Sequence, residues 1–125
     1  MRLLLDTQVF VWVVQDSPRL SAAAREAILG AAEVYVSAAS IWEIAIKAGL
    51  GKISADPVRM VQAITESGFV ELPITAQHAS GVERLPDHHR DPFDRLLIAQ
   101  ALAEPLRLLS SDAQMAKYTD LVIPI

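Results

Sequence analysis

Short runs of apolar residues alternate along the chain with longer stretches in which apolar residues recur at helical spacing. A short continuous apolar run is typical of a strand buried on both faces, and the helical recurrence is typical of an amphipathic helix. The predicted strands are Arg2–Leu5, Val34–Val36, Phe69–Leu72, Leu106–Leu109 and Leu121–Ile123. Strands that alternate with helices in this way predict a mostly parallel sheet with helices on both faces.

Capping residues and prolines mark where the helices begin. Ser21 and Thr75 are favoured N-cap residues. Asp56 and Asp91 are favoured caps too, and each precedes a proline, the residue preferred at the first helical position. The predicted helices are Ala22–Leu29, Ala38–Ala48, Val58–Glu66, Ala76–Leu85 and Phe93–Ala103. The segment Leu85–Arg90 is predicted to be a polar connection.

The composition fits one folded domain. The chain has 125 residues, of which 52% are hydrophobic and 21% charged. This is too apolar for a disordered chain and short enough for a single core, so we expect one domain spanning residues 1–125. The absence of cysteine excludes disulfide scaffolds, cysteine-ligated metals and thiol nucleophiles.

Neither a membrane span nor a secretory leader is predicted. The longest unbroken apolar run, Val9–Val14, is far shorter than the roughly 20 residues that a spanning helix needs. Asp6 interrupts the leucines near the start of the chain before a leader can form. We therefore expect a cytoplasmic protein with no membrane contact. Its net charge of −4 argues against binding nucleic acid over the whole surface, but it leaves room for a local basic rim.

Four acidic residues are candidates for chemistry. Asp6 directly follows the first predicted strand and Asp112 follows the fourth, and in an open parallel sheet these positions meet at the carboxyl edge. Glu43 and Asp94 lie on predicted helices. Four carboxylates that converge need compensation, because like charges raise one another's pKa. Mg²⁺ or Mn²⁺ supplies it through oxygen ligands and leaves positions for phosphate oxygens, so such a cluster suits phosphodiester chemistry.

Each of these acids also has a purely structural explanation. Asp6 and Asp112 can cap the helices that follow their strands. Glu43 can form an ordinary i,i+4 ion pair with Lys47, in the favourable order. Asp94 stands three residues after the predicted cap of its helix and can act as a capping-box analogue.

The other polar and aromatic residues are expected to be structural. Asp91 is explained as a cap by the proline beside it. The histidines lack the spacing of a zinc site and are interpreted as non-catalytic: His78, His88 and His89. Core or interface packing is expected for Trp12, Trp42 and Phe93. Basic residues that can either rim an RNA groove or form a solvated surface are Lys47, Lys52, Arg84, Arg90 and Arg95.

Four motifs occur in order over nearly the whole chain. They are Leu4-Leu5-Asp6-Thr7, Ser40-Ile41-Trp42-Glu43-Ile44, Asp91-Pro92-Phe93-Asp94-Arg95-Leu96-Leu97-Ile98-Ala99-Gln100-Ala101 and Ser110-Ser111-Asp112. Together they resemble the PIN-domain ribonucleases, and within these the VapC-type toxins of type II toxin–antitoxin modules. The third motif is the most specific, because eleven consecutive residues match the family's pattern.

The resemblance implies a three-layer α/β/α fold with a mostly parallel sheet of four or five strands. It implies a Mg²⁺- or Mn²⁺-dependent endoribonuclease that hydrolyses RNA by metal-activated water. The catalytic and metal-binding residues carried over are Asp6, Glu43, Asp94 and Asp112, with Thr7 or Ser111 as hydroxyl helpers. It also implies a homodimer and a VapB-like antitoxin whose extended tail covers the acidic site. Gln8 departs from the histidine or asparagine of many relatives, which leaves the acids intact.

Two other functions stay open as alternatives. A non-catalytic PIN-like module would bind RNA or a partner without cutting, although the complete set of acids disfavours it. A receiver-like signalling domain also combines a small doubly wound fold with Mg²⁺. It is disfavoured because Asp6 is unpaired, Pro73 follows the third strand and no lysine follows Leu109.

Overall fold

A single five-stranded sheet forms the centre of the computed structural model, which describes residues 1–88 and 90–125. The strands are β1 (Arg2–Leu5), β2 (Glu33–Ser37), β3 (Val70–Leu72), β4 (Arg107–Ser110) and β5 (Val122–Pro124). They lie in the order β3-β2-β1-β4-β5, and every paired neighbour is parallel. This confirms the predicted parallel sheet, and each predicted strand agrees with the structure to within one residue at either end. His89, interpreted above as non-catalytic, lies outside the described residues.

Helices cover both faces of the sheet. They are α1 (Thr7–Val14), α2 (Ala22–Gly30), α3 (Ala38–Gly49), α4 (Pro57–Glu66), α5 (Ala76–Gly81) and α6 (Pro92–Ala103). Two short 3₁₀ turns complete the described structure, Val82–Arg84 and Ala113–Lys117. Among the described residues, no helix is both long and apolar enough to cross a membrane.

The predicted helix Ala76–Leu85 is α-helical only over α5 and then tightens into the first 3₁₀ turn. Pro86 explains why it goes no further, because proline lacks an N–H and its ring disfavours helical backbone in the residue before it. Leu85 accordingly has an extended backbone. The polar connection to α6 therefore begins where the sequence predicts.

The predicted helix caps are confirmed. Backbone N–H groups in the first turns of α2, α4, α5 and α6 donate to side-chain oxygens of Ser21, Asp56, Thr75 and Asp91. His78 completes a capping box, because its Nδ1 accepts the N–H of Thr75 at 3.1 Å. Its Nε2 lies 2.6 Å from Oε2 of Glu104. The buried imidazole thus ties the start of α5 to the end of α6, which is a structural role.

The sheet separates two hydrophobic layers. Leu5 packs on one side with Phe10 of α1 and Ile44 of α3. Leu4, the preceding residue of β1, packs on the other side with Leu97 of α6. Neighbouring residues of a strand point to opposite faces, so β1 contributes to both layers. The predicted three-layer α/β/α architecture is confirmed.

Candidate functional site

Parallel pairing brings together the residues that follow β1 and β4. Leu5 pairs with Leu109, and the Asp6 N–H donates to the carbonyl oxygen of Leu109 at 3.0 Å. The chain leaves both strands at the same edge of the sheet. Asp6 and Asp112 therefore emerge at the common edge that the sequence predicts.

The Asp6 carboxylate is buried, at 4% residue exposure, and three donors hold it. Oδ1 accepts the Val9 N–H at 2.7 Å, which makes Asp6 the N-cap of α1. Oδ2 accepts the Ser110 hydroxyl at 2.7 Å and the Ser111 N–H at 3.0 Å. Burial raises the pKa of Asp6 above its usual range; the hydrogen bonds oppose this rise, and the charge of Glu43 adds to it. Asp6 can therefore be the cap of α1 and a candidate for chemistry at the same time.

Glu43 lies on the buried side of α3, with its side chain 6% exposed. Its Oε2 is 2.6 Å from the Lys47 Nζ, so the predicted i,i+4 pair forms, with a buried acid instead of an exposed one. Among the described residues, its buried Oε1 has no hydrogen-bond partner. The Thr7 hydroxyl donates to the Ser40 hydroxyl at 2.9 Å and so links α1 to α3. The helix that carries Glu43 is thereby fixed against the element that follows Asp6.

Asp94 and Asp112 both stand where a backbone turn begins. Asp94 lies in the first turn of α6, and its N–H and that of Phe93 donate to Oδ1 of the Asp91 cap. Asp112 caps the second 3₁₀ turn, with Oδ1 accepting the Gln114 N–H at 2.9 Å.

A cleft with a volume of about 620 Å³ contains all four predicted acids in its lining. Polar residues that share the lining are Thr7, Gln8, Gln15, Ser17, Asp91 and Ser111. Asp91, predicted only as a cap, is thus a cap that also borders the cleft. The structure brings the predicted site residues together at the carboxyl edge of the sheet.

Basic residues in the lining of the same cleft are Arg19, Lys47 and Lys52. The two lysines are among the basic residues singled out from the sequence, whereas Arg19 is not, because a loop residue carries no periodic signal. The loop is held in place by Arg25, which pairs with Asp16 at 3.1 Å and donates to the Ser17 carbonyl oxygen at 2.8 Å. Asp16 has a φ of 48°, a conformation that residues other than glycine seldom adopt. This turn returns the chain to the cleft beyond the end of α1.

Arg84 and Arg95, for which the sequence leaves open a groove rim or a solvated surface, are not in the lining of this cleft. Arg84 lines a separate groove between α5 and α6. The Arg95 guanidinium binds backbone, donating to the carbonyl oxygens of Pro86, Val82 and Leu85 at 2.9, 3.2 and 3.3 Å. A planar group with five donors can hold several carbonyl groups of one loop at once. Arg95 thus fixes the segment that leads into α6.

The aromatic residues pack as expected, with one difference in exposure. Trp42 and Phe93 meet edge to face with ring centroids 5.1 Å apart, which joins α3 to α6. Trp42 is nevertheless 57% exposed, so this contact lies at the surface. Trp12 packs against the hydrophobic layer that contains Phe10 and Ile44, and it also lines the cleft.

The donor set fits a hard divalent cation. All four acids offer carboxylate oxygens, the ligands that Mg²⁺ and Mn²⁺ prefer. The open Oε1 of Glu43 and the raised pKa of Asp6 both indicate buried acceptors that lack full compensation. Over residues 1–88 and 90–125, no three carboxylate or imidazole groups are already gathered closely enough to hold an ion. Mg²⁺ usually takes one or two carboxylates directly and completes its shell with water, so the four acids need not all be direct ligands.

These features define a parallel three-layer α/β/α domain with an acidic, oxygen-donor cleft at the carboxyl edge of its sheet. A family model described as the PIN domain matches residues 3–121. The chain therefore belongs to the PIN-domain family.

Similar proteins agree with this assignment. Ribonuclease VapC22 of Mycobacterium tuberculosis is 35% identical over 118 residues, which cover 92% of this chain and 90% of that protein. VapBC2 from Rickettsia felis, bound to a DNA fragment from its promoter, matches with a TM-score of 0.69 and 16% identity over 100% of this chain and 98% of the other. A toxin–antitoxin complex from Klebsiella pneumoniae matches with a TM-score of 0.69 and 17% identity over 97% and 95%. At these identities the two solved structures support the fold.

Ser110→Ala should lower the free energy of unfolding by about 1.5–3 kcal/mol, the usual contribution of a hydrogen bond to a charged group. The substitution removes one donor from the buried Asp6 carboxylate. Ser111→Ala is the matched control, because Ser111 donates to Asp6 through its backbone N–H, which the substitution keeps. Urea denaturation at neutral pH measures both variants. An equal loss of stability in the two would contradict the role assigned to the Ser110 hydroxyl.

Proposed function

We propose that this protein is the endoribonuclease toxin of a toxin–antitoxin module and hydrolyses phosphodiester bonds in RNA. One observation carries the proposal, the convergence in a single cleft of a PIN domain of Asp6, Glu43, Asp94 and Asp112. Similarity over 92% of this chain to a protein named as a ribonuclease supports the same activity. The proposal takes residues 1–125 as one PIN domain that acts on RNA in the cytoplasm.

The four carboxylates are the proposed ligands of Mg²⁺ or Mn²⁺. Asp6 and Glu43 bring buried charges from the floor of the cleft, and Asp94 and Asp112 bring charges from the turns beside it. A bound ion of this kind offsets phosphate charge, makes hydroxide available near neutral pH and stabilises the leaving oxygen.

The chain's own contribution is to hold these carboxylates in fixed positions. The Ser110 hydroxyl and the Ser111 N–H hold one oxygen of Asp6, and the first turn of α1 holds the other. The Asp91 cap fixes the first turn of α6 and with it the backbone of Asp94. Groups that are already positioned lower the entropic part of a reaction barrier.

The basic side of the cleft is the proposed contact for the RNA backbone. Arg19 and Lys52 share the lining with the acids, so their charges offset the repulsion between the carboxylates and phosphate. Trp12 in the same lining offers an aromatic ring on which a base can stack. A net charge of −4 is compatible with RNA binding when the cations lie beside the acids.

A VapB-like antitoxin and a second copy of the chain are the proposed protein partners. The similar structures from Rickettsia felis and Klebsiella pneumoniae are described as VapBC2 and as a toxin–antitoxin complex, which supports an antitoxin here. Apolar side chains on α3, on α4 and between them are exposed, at 57% for Trp42, 64% for Leu50 and 66% for Val58. Exposed apolar residues mark a protein contact when they form a contiguous patch, and the proposed second copy would cover these side chains.

Asp6→Asn should abolish RNA cleavage, because the amide removes the charge needed to bind a cation. Its NH2 group cannot accept the hydrogen bonds that both carboxylate oxygens accept, so the variant should also be less stable, and circular dichroism checks that it is folded at the assay temperature. Asp91→Asn is the matched control and should keep most of the activity, since asparagine is an equally good N-cap. The measurement is cleavage of total cellular RNA by purified protein in Mg²⁺, Mn²⁺ or EDTA.

Discrete fragments that depend on both the divalent ion and Asp6 are the expected result, and sequencing their ends would identify the target. Unchanged cleavage by Asp6→Asn would contradict the site. Complete inactivation by Asp91→Asn would mean that Asp91 belongs to the reaction. No cleavage by folded, antitoxin-free protein would favour the non-catalytic binding module.

Arg19→Gln and Lys52→Gln should each weaken RNA binding and reduce the log–log salt slope of the affinity by about 0.7, the value expected per phosphate contact on a single strand. Neither residue is a proposed metal ligand, so kcat should change little. Arg107→Gln is the control, because Arg107 is exposed at the start of β4, on the opposite edge of the sheet. Fluorescence anisotropy with single-stranded RNA and Asp6→Asn protein at several salt concentrations measures the slope. The same weakening in Arg107→Gln would contradict a local binding groove.

A further inference from the structure

The ion pair between Glu43 and Lys47 differs from an ordinary pair on a helix surface. The Glu43 side chain is 6% exposed and that of Lys47 is 48% exposed. An exposed i,i+4 pair contributes little because water screens both charges. Here the carboxylate is almost entirely removed from water, so the ammonium 2.6 Å away compensates a charge that solvent screens only weakly.

The two oxygens of Glu43 are used unequally. Oε2 contacts the Lys47 ammonium, and the buried Oε1 has no hydrogen-bond partner among the described residues. A buried acceptor without a donor is costly, and native proteins rarely leave one. The carboxylate is thus half compensated and retains capacity for a further positive charge.

Lys47 also feels the other acids of the cleft. Its hydrogen bond with Glu43 raises the pKa of Lys47, partial burial opposes the rise, and the charges of Asp91 and Asp94 add to it. Lys47 is therefore an ammonium at neutral pH. It lies in the cleft that is proposed to hold Mg²⁺ or Mn²⁺.

We propose that the Lys47 ammonium is an internal counter-ion that holds Oε2 of Glu43 in the metal-free protein and gives up this oxygen when a divalent cation enters. Cation binding is then a competition between the ion and Lys47. The inference rests on the proposed function, because it concerns the same carboxylates.

The packing of the cleft supports a competition. As they stand, no three carboxylate or imidazole groups of residues 1–88 and 90–125 are close enough together to hold an ion. One oxygen of Glu43, Oε2, is already occupied by Lys47 at 2.6 Å. The lysine stem is flexible and half-exposed, so the ammonium can move into water at low cost. Lys47 is thus a positioning residue that keeps a buried acid compensated until an ion replaces it.

The alternative is that Lys47 orients Glu43 for the ion and stays paired with it. The two roles predict opposite effects of removing the ammonium. If Lys47 competes with the ion, its removal strengthens cation binding. If Lys47 orients the ligand, its removal weakens cation binding.

Calorimetric titration of the purified full-length chain with MnCl₂ separates these roles without measuring activity. Lys47→Met keeps much of the aliphatic stem and should bind Mn²⁺ about tenfold more tightly, the scale set by a hydrogen bond to a charged group. Lys47→Arg keeps the charge and should bind much like the unaltered chain. Lys52→Met is the matched control, because it removes a cation from the same cleft and leaves the Glu43 pair intact; it should tighten binding by less than Lys47→Met.

A second measurement uses the unaltered chain and so does not depend on how the variants fold. During Mg²⁺ titration, the side-chain ammonium NMR signal of Lys47 should change from that of an ion-paired ammonium to that of a solvated one. The midpoint of this change should coincide with the midpoint of ion binding. Two results would overturn the competition alone, provided that the unaltered chain binds Mn²⁺. One is equal or weaker Mn²⁺ binding by Lys47→Met, and the other is an unchanged Lys47 signal. Absence of Mn²⁺ binding by the unaltered chain would overturn both the competition and the metal dependence of the proposed function.

Discussion

The site depends on burying the Asp6 carboxylate at the carboxyl edge of a parallel sheet. A charge with 4% residue exposure needs donors, and strand pairing supplies them by bringing Ser110 and Ser111 beside it. The register that pairs Leu5 with Leu109 therefore builds the hydrophobic core and the support of the acid together. A slip of one residue in β4 would turn every side chain of that strand to the other face and remove the Ser110 hydroxyl from Asp6.

The remaining acids add charge that the protein must compensate locally. Glu43 comes from α3 and Asp94 from α6, two helices joined at the surface by the Trp42–Phe93 contact. The Lys47 ammonium supplies part of the compensation for Glu43. Within the part of the chain that the structure describes, Glu43 still has one buried oxygen without a donor. In physical terms, this incomplete balance is what makes the cleft suited to a divalent cation and a phosphate.

Much of the fold is predictable because its signals are local. β1 is a continuous apolar run, and the Asp91 cap with its adjacent proline marks the start of α6 directly. The order of the strands and their register are not local, so the sequence predicts a parallel sheet without predicting which strands are neighbours. The residue types predict four acids in one site, but whether the four side chains come close together depends on where the helices lie. The roles of Arg19, in a fixed loop, and of Arg95, bound to backbone carbonyls, have no periodic signal.

The proposed chemistry depends on the four carboxylates holding a divalent cation. Anomalous diffraction from crystals of the full-length chain grown with Mn²⁺ tests this most directly. We expect an anomalous peak in the cleft within ligand distance of Asp6, with oxygens of Glu43, Asp94 or Asp112 as further direct or water-bridged partners. A peak held by other residues, or an empty cleft at Mn²⁺ concentrations that support RNA cleavage, would contradict it.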